Sequence, residues 1–340
     1  MKRIYLITGA NGHLGRAIVK QLVSTGAQVR GLVLPNDDVS MLAETGIELV
    51  RGNVCDISSL EPLFVGLEGY EPAVIHTAAI IDISSKASPL AREVNVEGTK
   101  NMVALALKYK AHRFIHVSSV HAIPEAAGHR LIKETKCFSP DYVEGGYAKT
   151  KAEASQYVME QVETANLPAI ILHPSGIAGP MDLGTNNIVC AIGSYLKGHI
   201  PFCPHGGYNI VDVRDVAAMC IAAVDKGRIG ETYILSGKHY EFAEIFSITR
   251  EISPKKQIKC LTIPMWIARL AAPMLERAAL LKKKLPLITR YSLKALSSND
   301  NFSHEKASKE LGFWPRDIYE TLQDTIAWLS RTQKRAAKSR

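Results

Sequence analysis

The stretch TGANGHLG, residues 8–15, decides the fold of this sequence because its glycines, Gly9, Gly12 and Gly15, recur at every third position between two structured segments. The apolar RIYLIT before it predicts a β-strand, and RAIVKQLVST after it has helical periodicity. A strand that enters a helix through a glycine loop is typical of a dinucleotide-binding site. Gly9 would permit a tight turn, Gly12 would leave room for a pyrophosphate, and Gly15 would let the helix pack closely, while the helix N-terminus offers N–H groups to the anion.

Five more apolar segments downstream predict β-strands, and amphipathic segments separate most of them. Alternating strands and helices predict a parallel sheet that is covered by helices on both faces. We therefore expect an α/β protein with a doubly wound parallel sheet, the Rossmann fold, and a smaller C-terminal α/β lobe that binds substrate. The predicted strands cover residues 3–8, 28–34, 47–54, 73–79, 113–119 and 169–174.

The alternation loosens past Pro174, where short strand-like segments such as NIVDV and ETYIL mix with helices. Five of the last ten residues, RTQKRAAKSR, are basic, so we expect a disordered tail. The domain boundaries that follow are residues 1–178 with about 207–229 for the dinucleotide-binding domain, 179–206 and 230–328 for the substrate-binding lobe, and 329–340 for the tail.

Composition and charge exclude several classes of protein. The chain of 340 residues has 46% hydrophobic and 22% charged residues, as globular proteins do, and no apolar run as long as the roughly 18–20 residues of a membrane span. Its net charge of +8 is accompanied by no nucleic-acid-binding motif, so we expect no nucleic-acid partner. The six cysteines form no CxxC or zinc spacing, so we expect reduced thiols, no metal and a cytoplasmic location.

The segment GGYAKTK places Tyr147 and Lys151 four residues apart in a helical stretch, and therefore on one helix face. Ser119 ends a predicted strand that reaches the same edge of the sheet. A free tyrosine has a pKa near 10, but an ammonium at about 4 Å supplies roughly 4 kcal/mol in favour of the phenolate at an effective dielectric constant of 20. We therefore expect Lys151 to lower the pKa of Tyr147, and the three residues to transfer a proton while a carbonyl gains or loses a hydride.

Several further segments resemble the motifs of the extended short-chain dehydrogenase/reductase family, the NAD-dependent epimerase/dehydratase superfamily. In chain order they are GNVCD, IHTAA, NVEGTKN, HVSSV, HPSGIAGP, IVDVRDVA and FSHEKASKELGFWPR. The resemblance covers residues 4–328. It departs from the family at Asn53, where an aspartate is usual, and at His173 and Ala178, where arginine and tyrosine are common.

The resemblance implies that the chain is an NAD(P)-dependent dehydrogenase or reductase. Tyr147 would be the acid/base, Lys151 would lower its pKa and hold the nicotinamide ribose, and Ser119 would bind the substrate oxygen. Two helical segments, residues 96–110 and 148–162, resemble those that pair across a twofold axis in this family, which implies a homodimer. The cofactor would be bound by Gly9, Asn11, Gly12, His13, Leu14, Gly15, Arg30, Asn53, Val54, Thr77, Ala78, Ala79, Asn95, Val117, Ser118, Tyr147, Lys151, His173, Pro174 and Ile177.

The choice between NADP and NAD depends on the end of the second strand, where NAD-preferring proteins usually carry an acid that holds the ribose hydroxyls. Val33 and Leu34 occupy that place, and acids follow only at positions 37 and 38. Arg30 and Arg16 could serve a 2′-phosphate. The sequence leaves both cofactors open and leans slightly to NADP.

The segment that should wall the substrate site, residues 179–212, has a single lysine or arginine, Lys197. A nucleotide sugar carries a diphosphate, which ordinarily requires arginine, so we expect an apolar small-molecule substrate. In this respect the chain is most similar to the dihydroflavonol-reductase and 3β-hydroxysteroid-dehydrogenase branch. The apolar segment 264–281 is open to three interpretations: a cap over the substrate, a helix packed between lobes, or a peripheral membrane contact helped by Lys282–Lys284.

Three functions remain open. The leading one is an NAD(P)-dependent oxidoreductase that interconverts a ketone and a secondary alcohol. A nucleotide-sugar epimerase or dehydratase is the first alternative, and the shortage of cations argues against it. A non-catalytic dinucleotide sensor is the second, although such proteins typically lose the tyrosine or the lysine.

Overall fold

The computed structural model describes residues 2–82, 87–254, 259–281 and 289–338. No helix within these ranges is long and apolar enough to span a bilayer. The strands are β1 (Lys2–Thr8), β2 (Gln28–Val33), β3 (Glu48–Arg51), β4 (Tyr70–His76), β5 (Arg113–Val117), β6 (Ala169–Pro174), β7 (Gly176–Ala178), β8 (Phe202–Pro204), β9 (Gly207–Asp212), β10 (Thr232–Leu235), β11 (Lys238–Glu241) and β12 (Leu261–Ile263). The α-helices are α1 (His13–Ser24), α2 (Ser40–Ala43), α3 (Ile57–Leu60), α4 (Pro89–Arg92), α5 (Gly98–Lys108), α6 (Gly146–Ala165), α7 (Asn187–Leu196), α8 (Val213–Lys226), α9 (Phe242–Ile252), α10 (Met265–Leu281), α11 (Arg290–Ala295), α12 (Glu305–Leu311) and α13 (Ile318–Lys338).

Seven strands form one parallel sheet in the order β10-β6-β5-β4-β1-β2-β3. The predicted doubly wound parallel sheet is therefore confirmed. Its edge strand β10 contains most of the segment ETYIL, which the sequence analysis had assigned to the smaller lobe. That assignment is wrong because Thr232–Leu235 is fully buried and pairs in register with β6, Ile234 opposite His173.

Helices cover both faces of this sheet, which explains why its strands are apolar without alternation. Adjacent residues of β1 point to opposite faces, yet Leu6 and Ile7 are both completely buried. Ile7 packs with Ile18 of α1 on the face that α8 also covers. Leu6 packs with Met102 of α5 on the other face, beside α6.

The smaller lobe has its own core and two small sheets, β11-β9-β7 and β12-β8. Ile192 of α7, Ile245 of α9 and Leu322 of α13 meet in that core, each with no more than traces of exposed surface. Because β9 runs directly into α8, this lobe is joined to the large sheet at its carboxyl edge.

The C-terminal residues are helical rather than disordered as far as Lys338, where the description of the chain ends. The expectation of a disordered tail is thus wrong for residues 329–338. Leu329 packs against the smaller core, and the indole of Trp328 donates a hydrogen bond to the carbonyl oxygen of Asp182 over 2.7 Å. These contacts hold the helix in place at the position where the basic sequence begins.

The motifs IVDVRDVA and FWPR form a network of ion pairs at the start of α8. Arg214 contacts Asp212 at 2.8 Å, and Arg316 contacts Asp215 at 2.8 Å. The carboxylate of Asp212 is fully buried, so these pairs fix the C-terminal segment to the end of β9. Both motifs therefore serve to join the two lobes.

Candidate active site

A cavity of about 1030 Å³ opens at the carboxyl ends of β1, β2, β4, β5 and β6. Most of the residues that the sequence analysis assigned to the site line it. They are Gly9, Asn11, Gly12, His13, Leu14, Gly15, Asn53, Val54, Thr77, Ala78, Ala79, Val117, Ser118, Ser119, Tyr147, Lys151, Pro174 and Ile177.

The glycine loop has the geometry that its spacing predicts. Gly9 has a φ of +65°, which favours glycine, and a Cβ on Gly15 would lie 2.1 Å from the carbonyl oxygen of Gly9. Gly12 is the N-cap of α1 and provides no side-chain cap, so the first N–H groups of the helix remain available to an anion. A Cβ on Gly12 would meet just one described atom within 4 Å, the same carbonyl oxygen, at 3.1 Å. The loop therefore fits the pyrophosphate of a dinucleotide.

His13 ties the glycine loop to the smaller lobe. Its Nε2 lies 2.9 Å from the carbonyl oxygen of Pro180, and its Nδ1 lies 3.3 Å from the side-chain nitrogen of Asn186. Burial lowers the pKa of His13, so the ring is neutral at pH 7. His13 therefore links the glycine loop to the smaller lobe and also lines the cavity.

Arg30 does not line the cavity, although the sequence analysis placed it at the cofactor. Its guanidinium donates to the carbonyl oxygens of Pro62, Leu63 and Val65 and pairs with Glu48 at 2.8 Å. Successive side chains of a strand point to opposite faces of the sheet. Arg30 lies in the middle of β2, and its side chain points to the face that is covered by the turn after α3, away from the cavity.

Two more predicted cofactor residues, Asn95 and His173, support the cavity from behind its wall. The amide of Asn95 bonds both the N–H and the carbonyl of Ile80 and donates to the hydroxyl of Thr150 over 3.0 Å, which joins the loop after β4 to α6. The Nδ1 of His173 donates to the carbonyl oxygen of Ser119 over 3.0 Å. Both side chains are completely buried, so they orient cavity residues instead of lining the cavity.

Ser119, Tyr147 and Lys151 converge at one end of the cavity. Ser119 lies close enough to Tyr147 that its hydroxyl lowers the pKa of the phenol, and the ammonium of Lys151 donates to the carbonyl oxygen of Val117 over 2.8 Å. One turn of α6 separates Tyr147 from Lys151, and Ser119 follows β5 at the same sheet edge. The ring of His121 meets that of Tyr147 edge-on, with centroids 6.4 Å apart. The phenol and the serine hydroxyl can therefore contact one substrate oxygen.

The ionisation of this pair differs from our expectation. Burial raises the pKa of Tyr147 to about 12, which the Ser119 hydroxyl opposes only in part. Burial also lowers the pKa of Lys151 to about 8. Desolvation disfavours the charged form of each group and is the largest cause of both shifts. The phenol of Tyr147 is therefore protonated at neutral pH and can act as a proton donor.

The end of the cavity beyond β2 combines two acids with one cation. Asp37 and Asp38 both line it, as does Arg16. The guanidinium of Arg16 already donates hydrogen bonds within the protein. It donates to the carbonyl oxygen of Met181 over 2.6 and 2.9 Å and to that of Asn11. The loop after β2 thus places Asp37 and Asp38 at the cavity. Their distance along the sequence from the end of β2 did not predict this position.

The far half of the cavity is formed by side chains that the sequence analysis did not single out. They come from segments spread between residues 120 and 302, so no local motif marks them. Lys294 is the one lysine or arginine of the described chain that lines this half, and it pairs with Glu144. Polar groups are supplied by Glu125, Asn209, Asn299 and Asp300. The apolar lining consists of Val120, Ile123, Ile132, Val143, Ile188, Tyr208 and Phe302.

Three buried histidines lie on one sheet face at the catalytic edge: His76 of β4, His116 of β5 and His173 of β6. The rings of His76 and His116 stack with centroids 5.8 Å apart, and burial lowers the pKa of His76 to about 3 and that of His173 to about 4. His76 bonds the hydroxyls of Thr8 and Thr99. His116 finds no hydrogen-bond partner for either ring nitrogen within the described part of the chain.

Comparison with known proteins agrees with this architecture. The family described as "NAD dependent epimerase/dehydratase family" matches residues 5–236. Sterol demethylase protein B of Methylococcus capsulatus is 28% identical over 330 residues, which cover 95% of this chain and 97% of that protein. A putative dihydroflavonol 4-reductase of Synechocystis is 27% identical over 336 residues, with coverages of 96% and 95%. The crystal structure of gox2253 matches with a TM-score of 0.81 at 31% identity and covers 98% of this chain and 99% of its own.

The family match begins in β1 and ends just beyond β10, so it spans the whole seven-stranded sheet and the glycine loop. It confirms the resemblance that the sequence motifs indicated. The chain belongs to the NAD dependent epimerase/dehydratase family and is an NAD(P)-dependent enzyme of the extended short-chain dehydrogenase/reductase type.

Proposed function

We propose that this protein is an oxidoreductase that interconverts a ketone and a secondary alcohol on an apolar small molecule. The observation that carries the proposal is the placement of Ser119, Tyr147 and Lys151 beside a half-cavity whose lining is mostly apolar and whose single described cation, Lys294, pairs with Glu144. The names of two relatives, a sterol demethylase protein and a putative dihydroflavonol reductase, refer to molecules of that kind.

The chain's own residues would handle the proton and the oxygen. A bound nicotinamide supplies or accepts the hydride. The hydroxyl of Ser119 donates a hydrogen bond to the carbonyl oxygen of the substrate, and Tyr147 gives that oxygen its proton as the carbon is reduced. Lys151, four residues on, supplies positive charge that stabilises the phenolate left behind. With a pKa of about 12, Tyr147 is protonated at neutral pH and therefore holds the proton that the reduction of a ketone requires.

A nucleotide-sugar epimerase or dehydratase remains the second candidate, and the cavity argues against it. A diphosphate carries two negative charges and ordinarily binds free guanidinium groups. Of the arginines in the described chain, just Arg16 lines the cavity, at the glycine loop, and its guanidinium is occupied by two carbonyl oxygens. The described residues of the far half thus offer a diphosphate no unpaired cation.

For the cofactor, we propose a preference for NAD over NADP, against the slight lean of the sequence. Arg30, one of two cations considered for a 2′-phosphate, points away from the cavity, and the other, Arg16, is engaged by Met181 and Asn11. Asp37 and Asp38 line the same end. Carboxylates accept hydrogen bonds from ribose hydroxyls and repel a phosphate.

We further propose a homodimer that forms through α5 and α6, as the resemblance implied. Ala104 is exposed on α5, and Tyr157 of α6 is half-buried beneath the ammonium of Lys100, 5.7 Å from its ring centroid. This outer face of two adjacent long helices offers apolar surface for a self-complementary contact.

The experiment is a screen of ketones, including cyclic and sterol-like ones, with NADH and NADPH, read by nicotinamide absorbance. A ketone substrate should consume cofactor in a one-to-one ratio, and Tyr147→Phe should lower turnover by at least about a hundredfold. Tyr319→Phe is the matched control, because it removes an exposed phenol hydroxyl outside the cavity and should leave turnover intact. Conversion of nucleotide sugars without net cofactor consumption would instead establish the epimerase, and tight cofactor binding without turnover would establish a sensor.

A further inference from the structure

A surface helix usually buries its large apolar side chains, but helix α10 exposes several of them. Within residues 265–275, the part of the helix whose burial is described, the buried residues are Ala268 and Ala272, at 2% and 0% exposure, whereas Trp266, Leu270 and Met274 are 64%, 73% and 75% exposed. The exposed three recur every four residues, so they lie along one face of the helix. A helix that buries small side chains and exposes large apolar ones has an outer face that solvent alone does not satisfy.

The parallel strand pair that leads into α10 adds two exposed apolar residues. Leu261 of β12 and Phe202 of β8 are opposite each other in the register of the parallel pair, and each is 53% exposed. We call these five residues, Phe202, Leu261, Trp266, Leu270 and Met274, the α10 surface. Single exposed apolar residues are ordinary, but a row of five that includes a tryptophan indicates a binding surface.

The sequence around the α10 surface carries the positive charge of the protein. Residues 255–294 contain ten lysines and arginines and one acid, Glu276, a net charge of +9 in 40 residues. The whole chain carries +8, so the other 300 residues together carry −1. Lys282–Lys284, which the sequence analysis considered for a membrane contact, lie outside the described residues, whereas Lys259 and Arg269 are described and exposed. An apolar face within a strongly cationic segment complements a surface that is anionic outside and apolar beneath.

We propose that the α10 surface binds peripherally to an anionic lipid bilayer, with the apolar row inserted at the level of the headgroups. Amphipathic helices with Trp and Leu on one side and basic residues around them bind membranes in this way. A second copy of the chain is a poor occupant, because a twofold contact would bring two segments of charge +9 together. An anionic bilayer gains from both the charge and the apolar face.

The α10 surface lies one helix away from the far half of the cavity. Ala268 and Ala272 pack on Leu293 and Leu296 of the α11 region, and neighbouring residues of α11, among them Ser292, line the cavity. Membrane binding would therefore hold the cavity close to the lipids. The proposal itself concerns lipid binding and holds or fails independently of the reaction.

The test uses the full chain and sedimentation with vesicles of phosphatidylcholine, with and without phosphatidylglycerol. We expect binding to the anionic vesicles and a loss of about tenfold when the salt concentration rises from 0.1 to 0.5 M, because exposed charges are screened. The double variant Leu270→Glu with Met274→Glu should bind at least tenfold more weakly. Both side chains are largely exposed, so the fold and the thermal midpoint should be retained.

The matched control is Val65→Glu with Ile229→Glu, which makes the same change at exposed apolar positions on the large domain, 55% and 48% exposed, and should bind as the wild type does. Lipids with brominated acyl chains should quench the fluorescence of the wild type more than that of Trp266→Phe. Failure of the wild type to bind, equal binding to neutral vesicles, or unchanged binding of the acidic double variant would overturn the proposal. So would a wild-type dimer that the double variant converts to a monomer, because the occupant would then be a second copy.

Discussion

His116 provides a test of the buried histidine row through the pH dependence of stability. The ring is completely buried, neither nitrogen has a hydrogen-bond partner in the described chain, and burial holds its pKa well below the usual value of 6.5. The folded protein therefore keeps His116 neutral while the unfolded chain binds a proton below pH 6.5. The unfolded state binds more protons, so stability is greatest above pH 6.5 and falls as the pH decreases.

The magnitude follows from the difference in bound protons. At pH 5 the unfolded state is about 1.5 pH units below the histidine pKa, and each unit corresponds to about 1.4 kcal/mol, so His116 costs about 2 kcal/mol of stability between pH 8 and pH 5. We expect that His116→Leu removes this loss. Its effect at pH 8 should be small or stabilising, because it removes two unsatisfied buried nitrogens.

The assay is urea unfolding of the wild type and of His116→Leu at pH 5 and pH 8. The difference in unfolding free energy between variant and wild type should shift by about 2 kcal/mol in favour of the variant at pH 5. Other groups that titrate are common to both proteins and cancel in the comparison. His199→Leu changes an exposed histidine and should show the pH dependence of the wild type. An equal effect of His116→Leu at both pH values would refute the reasoning, because His116 would then be protonated in the folded protein as well.

Four further outcomes are expected. Gly12→Val should abolish binding of NADH, measured by nicotinamide fluorescence, and leave the thermal midpoint within a few degrees, because Gly12 lines the cavity and an added Cβ meets just one described atom, the carbonyl oxygen of Gly9; retained affinity would contradict the pyrophosphate site. Lys151→Met should weaken cofactor binding and remove the decline in the ketone reduction rate that we expect above about pH 8 in the wild type, where Lys151 loses its proton; a decline that persists in the variant would assign it to another group. Asp37→Ala should raise the affinity for NADPH relative to NADH by roughly tenfold, in parallel titrations; an unchanged ratio would place the ribose elsewhere. Ala104→Arg should convert the expected dimer to a monomer in light scattering, and a dimer in the variant would exclude the α5–α6 interface.

The sequence predicted the large sheet and the glycine loop because both depend on local order along the chain. Gly9 is needed for its positive φ, and Gly15 because a Cβ there would meet Gly9 and Ala10 a few positions earlier, so both requirements are local and the spacing reveals them. Arg30 was misplaced because the direction of a side chain in a buried strand depends on which face each neighbouring helix covers. The strand Thr232–Leu235 was assigned to the wrong lobe because its partner, β6, lies about 60 residues earlier.

The far half of the cavity could not be predicted because its lining residues are far apart in the sequence. Tyr208 and Phe302 come from segments almost a hundred residues apart, and both line the cavity. No periodicity links such residues, since their meeting depends on how the smaller lobe packs on the sheet. The apolar α10 segment was visible in the sequence, but only its exposed fractions distinguish a surface from a buried cap.

The neutral histidines and the lysine beside them belong to one electrostatic arrangement. Positive charge on His116 or His173 would lower the pKa of Lys151 further, since each acts on the other through the low dielectric of the sheet interior. With the histidines neutral, burial lowers the pKa of Lys151 to about 8. Because this pKa is still above 7, the ammonium form predominates at pH 7. A protonated row would remove that charge and, with it, the stabilisation of the Tyr147 phenolate. The cost in acid stability at His116 therefore accompanies an interior in which Lys151 keeps its positive charge at the catalytic end of the cavity.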